Sequence, residues 1–526
     1  MSPIKAYSVR FGAGYRWYAT VTVMFGTIVT TASSTMINVA LPDIMGAFGL
    51  GSDQIQWLST GFLAAMTATM LLTAWALNRL GYRLCFMGAL GLFIAGSVIG
   101  ALSRSGGEVI LARVLQGLAS GLIQPSAMVV MSHVFPRGQR GRAMGIYGIG
   151  VVLAPALGPA LGGYLVDEYN WRDVFWALTP LSACGIAAAA VFLPGLGDER
   201  HRKVPHHFDG AGFALLSVFL VTLLSGLSDG QREGWNSDFI VTLFAVSLLA
   251  FGAFVARELT FHTPLLNLRV FANARFAASC VVSFALGVGI YGSTYIVPLF
   301  LQLVQGYTPT RSGLLLMPAG FVLALVFPCT GLLADLLPPW IPITVGLGIF
   351  GVSNWLCGGV DVDTPFWLFA LWIVVGRIGL GMITPSLNAG ALRALPHALL
   401  AQGSGTVNFV RQLGGALGVN LLSVIIDRRG AFHGAALAEA VTASTAAASE
   451  TVRRLIPLVN HWGSPFGTRL PQGASPTASA YLESMLMPKA RLLAYQDGFL
   501  VVALMFLISL AAGLLMRGRG AEAEPK

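Results

Sequence analysis

Apolar residues along this 526-residue chain come in blocks rather than in the one-sided stripe of a water-facing helix. A helix needs about 20 apolar residues to cross a bilayer. Reading for such blocks predicts fourteen spans, at roughly 17–38, 55–77, 84–102, 108–132, 142–165, 173–193, 210–228, 238–257, 275–303, 311–334, 341–359, 365–391, 402–427 and 494–517. The spans at 210–228 and 341–359 are short and flanked by Gly or Pro. The first apolar block is long and has no clear small-x-small cleavage site, so it is read as a retained helix rather than a signal peptide. One polar excursion, 428–493, breaks the series. Its first half, Gly430 to Val459, is Ala-rich and predicts an amphipathic helix, and Gly463 to Pro476 predicts turns. The fold class is thus an all-α polytopic membrane protein.

Charge placement tests the count. Cytoplasmic loops carry the excess of Lys and Arg in membrane proteins. With the N-terminus inside, the inner segments and adjoining span ends hold 18 of the 32 basic residues, against four in short outer loops (Arg104, Arg172, Arg232 and Arg311). A miscount of one helix would scramble that asymmetry. The expectation is a bacterial cytoplasmic (inner) membrane protein with both termini in the cytoplasm.

Composition excludes other classes. Only 10% of residues are charged, too few to coat a water-facing globule. The net charge of +9 is scattered between apolar blocks, with no basic face to follow a phosphate backbone, so no nucleic-acid partner is expected. None of the four lysines (Lys5, Lys203, Lys489, Lys526) sits in a phosphate-binding loop, which excludes a self-contained ATP-driven pump. The five cysteines are at least 28 residues apart and form no metal or disulfide pattern. With no nucleophile–base pair or metal cluster at mid-membrane, an enzyme is not expected, nor any metal or cofactor.

The chain repeats itself. Gly121-Leu-Ile-Gln-Pro-Ser126 recurs as Gly381-Met-Ile-Thr-Pro-Ser386, and Pro136 recurs as Pro396, both at an offset of 260. Ala76-Leu-Asn78 matches Leu333-Ala-Asp335 at an offset of 257. These copies make spans one to six and nine to fourteen related bodies, with spans seven and eight as an insert. The expected division is 1–193, a six-helix bundle; 194–274, two inserted helices and linkers; and 275–526, a second six-helix bundle carrying the long outer loop 428–493.

Five elements in order carry a resemblance. They are Asn38-Val-Ala-Leu-Pro42-Asp43-Ile; Leu111-Ala-Arg113-Val-Leu-Gln116-Gly117; Gly158-Pro159-Ala-Leu-Gly162-Gly163 followed by Trp171-Arg172; Pro264-Leu-Leu-Asn267 running on to Pro298-Leu-Phe-Leu-Gln302; and Arg411-Gln-Leu-Gly414-Gly-Ala-Leu-Gly418. From about 35 to 425 the chain resembles the fourteen-spanner drug:proton antiporters of the major facilitator superfamily, the EmrB/QacA type. The resemblance implies two six-helix bundles plus two inserted helices, and alternating access by two bodies rocking about a cavity near the midplane. It implies export of drugs or toxic small molecules in exchange for protons. A periplasmic adaptor and outer-membrane channel are partners of some family members, and 428–493 offers a surface for one.

Within that frame, small residues on span five let neighbouring backbones approach, while Pro155 and Pro159 bend it. With Gly158, Gly162 and Gly163 they form the family's antiporter motif, expected to be a rocking surface against the other half. Candidate gate residues are Asp43 at the outer end of span one, Asn78, Arg79, Gly81 and Arg83 between spans two and three, and Asp335 in the second copy. Asn78 stands where the family has an acid.

An intramembrane arginine costs about 2.5–3.5 kcal/mol on insertion scales, so each needs a reason. Arg113 matches the family's buried basic residue, linked there to proton relay; Arg377 and Arg411 lie in spans twelve and thirteen. Polar candidates around them for substrate or proton are Gln116, Gln124, Asn38, Asn388, Asn408 and Gln412, with Glu108 one turn before Arg113 as its possible partner. Ser33 occupies the position of the family's first-span Asp. Three arginines without a mid-span carboxylate predict a cavity that repels organic dications and favours anionic or neutral amphiphiles, with Trp57, Trp75, Phe284, Tyr291 and Tyr295 as candidate lining. Alternatives are export of an endogenous metabolite, organic-anion transport, and an uncoupled membrane sensor or scaffold.

Overall fold

The computed structural model describes residues 11–135, 140–195, 209–261, 264–266, 268–395, 400–442 and 475–517. Among them are fourteen long helices: α1 (Tyr15–Phe48), α2 (Ser52–Met70), α3 (Thr73–Ala101), α4 (Gly106–Val134), α5 (Arg140–Glu168), α6 (Thr179–Phe192, preceded by a single turn at Asp173–Trp176), α7 (Gly210–Glu233), α8 (Asp238–Thr260), α9 (Ala274–Leu303), α10 (Pro309–Leu336), α11 (Trp340–Cys357), α12 (Phe366–Arg393), α13 (Leu400–Thr442) and α14 (Ser475–Leu515). Twelve are long and apolar enough to cross a membrane, including the short α7 and α11. The two that fall below that measure, α2 and α5, are the helices through which the first half touches the second: α5 packs along α10, and α2 along α13. Helices shielded from lipid by protein can carry the polar and glycine-rich sequences that these two have.

Local chemistry explains the boundaries. Ser105 caps α4 by accepting from Glu108 N, while the Glu108 carboxylate accepts from Arg104 N at 2.7 Å. Asn273 caps α9 through Arg275 N and Phe276 N, and Thr308 caps α10 through Arg311 N. The chain turns between spans two and three at Gly81, whose φ of 74° and ψ of 170° suit glycine alone. Spans two and three therefore run through α2 and α3 with the reversal inside α3.

Within the first six helices α3 packs on α4, α2 on α4, and α1 on α5; within the last six α9 packs on α13, α11 on α12, and α10 on α12. The inserted pair α7–α8 lies over the α2–α13 junction. Leu224 joins a buried cluster with Phe62, Met66, Ala416 and Val419, and Ser228 Oγ donates to Asn420 Oδ1 at 2.7 Å.

The excursion at 428–493 is largely helix where it is described. α13 runs on to Thr442 and α14 begins at Ser475, so the expected spans 402–427 and 494–517 are extended. The extensions pair beyond the bundle, with Gly434 beside Ala490 and Arg429 and His433 both on Asp497 Oδ2. The expected helix as far as Val459 is followed to Thr442; the turn region up to residue 474, and Pro136, Pro396 and Asn267, lie outside the described residues.

Candidate functional site

The largest fully buried side chain is Arg113, 1% exposed on α4. Its Nε donates to Leu58 O at 3.1 Å, and its Nη1 donates to Ser33 Oγ at 3.0 Å and Gln116 Oε1 at 2.8 Å. Gln116 is held in turn by Nε2 donating to Ser97 Oγ at 3.0 Å. The guanidinium lies 4.2 Å from the centre of the Phe62 ring, a cation–π contact. Every one of these acceptors is neutral, and Nη2 has no hydrogen-bond partner. A buried cation with one unsatisfied donor and no described carboxylate in ion-pair range keeps a charge without a described counter-ion.

Arg113 opens onto a small cavity between the halves, lined by Ser34, Thr35 and Asn38 of α1, Ser59, Phe62 and Leu63 of α2, Tyr291, Thr294 and Tyr295 of α9, and Val419 of α13. It has room for about 20 Å³, a water molecule rather than a substrate. Its walls are hydroxyls and aromatic faces. Ser59 Oγ donates to Asn38 Oδ1 at 3.0 Å, and Tyr295 Oη to Ser423 Oγ at 3.3 Å. The lining therefore combines one guanidinium with neutral hydroxyl and amide groups and aromatic rings.

Of the expected site residues, Arg113 and Asn38 line this cavity, and Ser33 and Gln116 stand behind Arg113 as its acceptors. Glu108 does not pair with Arg113: its carboxylate is turned to the start of α4, on Arg104 N. Arg377 and Arg411, expected around the same cavity, are not among the residues that line this small space. Arg411 bonds Asn408 Oδ1 further along the seam, near Tyr147 of α5, whose hydroxyl meets Thr27 Oγ1 at 3.0 Å. Asn408 Nδ2 reaches Met128 Sδ at 3.6 Å and Gln412 Nε2 reaches Met66 Sδ at 3.5 Å, so both bridge to the first half. Arg377, Gln124 and Asn388 are half-buried on α12 and α4. Of the aromatic candidates, Tyr291 and Tyr295 line the cavity, while Trp57, Trp75 and Phe284 do not.

The span-five motif divides its contacts. A Cβ on Gly158 would lie 2.3 Å from Thr35 Oγ1, and one on Gly162 2.9 Å from Met36 O, so these glycines seat α5 on α1 of the same half. The surface toward the other half is Gly148 against Phe327 and Pro159–Ala160 against Gly313 of α10. Gly163 is buried, and Pro155 O accepts from Thr35 Oγ1 at 3.3 Å. Span five as a whole thus lies against the other half, while its Gly158 and Gly162 face α1. At the gate, Arg83 Nε donates to Leu193 O at 2.8 Å and ties the 2–3 turn to the end of α6, and Arg79 is exposed. Asp43 is exposed at the far end of α1. The side chains of Asn78 and Asp335 lie outside the described residues.

Ser59, Phe62, Leu63 and Thr294 were not singled out by sequence. The available signal was the run of hydroxyl and amide residues on α2, too polar for lipid, at positions one helical turn apart.

Residues 23–419 match the family model described as "Major Facilitator Superfamily". The chain is 29% identical over 417 residues to the tetracenomycin C resistance and export protein of Streptomyces glaucescens, covering 79% of this chain and 77% of that one. It is 29% identical over 427 residues to the multidrug resistance protein B homolog of Mycobacterium tuberculosis, covering 80% and 78%. Among solved structures, a bacterial homolog of the human lysosomal transporter Spinster, inward-facing and unoccupied, superposes with a TM-score of 0.59 at 16% identity over 96% of this chain and 98% of that one.

Proposed function

Because the chain belongs to the Major Facilitator Superfamily, and is a multi-pass membrane transporter of small molecules rather than an enzyme, we propose that it is a proton-coupled exporter of the fourteen-spanner drug antiporter type. Its cargo is anionic or neutral amphiphiles, including toxic or antibiotic-like compounds. The names of the two relatives, a resistance and export protein and a multidrug resistance homolog, support the direction of transport. Arg113 carries the substrate reading: a buried cation, bonded only to neutral acceptors and with Nη2 unpaired, borders the cavity between the two halves. Cargo with a carboxylate or an enolate would satisfy that donor, while a dication would meet an uncompensated positive charge.

The transport cycle in this reading is alternating access about the Arg113 cavity. Six-helix bodies 1–193 and 275–526, joined through the insert 194–274, part on alternate sides so that the 20 Å³ space widens to admit cargo. The orientation with both termini in the cytoplasm of a bacterial inner membrane rests on the asymmetry of Lys and Arg. An adaptor and outer-membrane channel would dock on the paired extensions of α13 and α14.

Inverted membrane vesicles test this reading. With an imposed proton gradient, uptake of an acidic or neutral amphiphile and its collapse by a protonophore are expected. Uptake indifferent to the gradient, or a preference for organic dications, would contradict it.

A further inference from the structure

The base of the inserted hairpin holds two buried carboxylates that the transport cycle above leaves unused. Asp209, 1% exposed, caps α7 by accepting from Gly212 N at 2.9 Å, and the same Oδ1 accepts from Arg257 Nε at 2.8 Å. Glu258, 4% exposed, is the neighbour of Arg257 on α8, and its Oε2 accepts from Leu266 N at 2.9 Å. That leaves Asp209 Oδ2 and Glu258 Oε1, both buried and both without a hydrogen-bond partner. The two orphan oxygens converge. A Cβ built on Gly212 would lie 2.6 Å from Asp209 Oδ2 and 3.2 Å from Glu258 Oε1, so both border the same spot, kept free of a side chain by the glycine.

Two carboxylate oxygens with no donor between them are costly to bury. Arg257 supplies one positive charge, and that charge is committed to Asp209. Around the pair the packing is apolar: Leu216, Leu220, Phe254 and Leu266 of the insert and its linker, Ala68 of α2 and Leu71 just after it, and Phe409 of α13. Among the described residues, no other charged group faces it from those elements. One proton satisfies both orphans at once, with Glu258 Oε1–H donating to Asp209 Oδ2 while Asp209 keeps its charge beside Arg257.

We propose that Asp209 and Glu258 form a proton-binding site at the base of the α7–α8 hairpin, held between Glu258 Oε1 and Asp209 Oδ2. On release the proton passes to water and leaves two carboxylates facing one arginine. Their repulsion loosens the hairpin where Leu216 and Leu220 lie against α2 and α13, the junction of the two halves. The site thus deepens the antiport reading, on which its role in transport rests, by supplying a titratable pair in a chain whose first span has Ser33 in place of an acid. Sequence reasoning passed over the pair because Asp209 and Glu258 lie 49 residues apart, at opposite ends of the two inserted helices.

The test reads protonation directly, on the purified full-length protein in detergent near neutral pH, by infrared spectroscopy of the carbonyl stretch of a neutral carboxylic acid. The wild type is expected to show such a band with a deuterium shift, Glu258→Gln to lose it, and Asp209→Asn to displace it. Glu258→Gln should fold well, since its amide can accept from Leu266 N and donate to Asp209. Its melting temperature should equal or exceed that of the wild type, whereas Glu258→Ala should melt lower. Absence of the band, its persistence in Glu258→Gln, or its suppression by sodium chloride (a metal cation in the proton's place) would overturn the proposal. A failure of the vesicle assay above leaves this readout unaffected. With transport intact, Glu258→Gln should lose its response to the proton gradient.

Discussion

In α4, Gly121 places its bare Cα against Met66 O and Thr69 of α2; in α12, Gly381 does the same against Val326 and Leu323 of α10. The repeat holds at that turn. One turn earlier the halves part. Gly117 of α4 lies so close to α2 that a Cβ would be 2.4 Å from Phe62 O, and at the offset of 260 the second half carries Arg377. Another turn earlier, Arg113 of the first half answers to Ile373 of the second, a member of an apolar cluster with Leu315, Leu316 and Ala319. The two bodies share a helix-packing frame, but the first seals a hydrogen-bonded cation inside it, and the second moves its cation by a turn into a half-buried position. The comparison teaches that the repeat keeps a bare Cα where a neighbouring helix comes close, against backbone in the first half and side chains in the second, whereas the charges are free to diverge because each needs only its local acceptors.

That difference can be broken at several points. Gly117→Ala should have the largest effect, since the new methyl meets backbone rather than a flexible side chain. Overpacking of about 1–3 kcal/mol or more is expected, seen as a lower melting temperature and poor yield in detergent. Ser33→Asp would place a carboxylate beside Arg113 Nη1, now 3.0 Å from the serine hydroxyl. It should neutralise the proposed anion site, lower transport of acidic cargo by about tenfold, equivalent to ~1.4 kcal/mol, and raise transport of cations in the same vesicles. Arg377→Ala removes a side chain for which no bond to a described residue is found. Removing an intramembrane charge should leave its melting temperature equal to or above that of the wild type. Glu108→Gln touches only the first turn of α4, where a carboxylate contributes roughly 0.3–1 kcal/mol through the helix dipole. Transport by this variant should match the wild type; a loss would return Glu108 to the Arg113 network.

Most of the architecture was legible because bilayer thickness dictates helix length. Spans 17–38, 275–303 and 311–334 all fall inside helices of the structure. Span 55–77, read as an apolar block, falls across α2 and the start of α3, whose reversal at Gly81 the block pattern did not mark. The site was legible only in part. Arg113 announced itself as a charge within an apolar block, and Asn38, Tyr291 and Tyr295 as polar or aromatic residues at span positions. Phe62 and Ser59 did not, since their role depends on which face of α2 meets α1 and α9. Gly158 and Gly162 were legible as close-packing residues, but not their partner α1: small residues signal approach without naming the helix approached. The Asp209–Glu258 pair was hidden for the same reason, since two helix ends meet only when the hairpin folds.

The most direct test of the account is binding to the purified protein of an aromatic carboxylate and of its neutral amide analogue, in the wild type and in Arg113→Gln. Titration calorimetry should give at least about tenfold tighter binding of the carboxylate by the wild type, a difference of ~1.4 kcal/mol, and no preference in Arg113→Gln. Equal affinity for the two compounds in the wild type, or a preference that survives in Arg113→Gln, would contradict the assignment of Arg113 as the anion-receiving group between the halves.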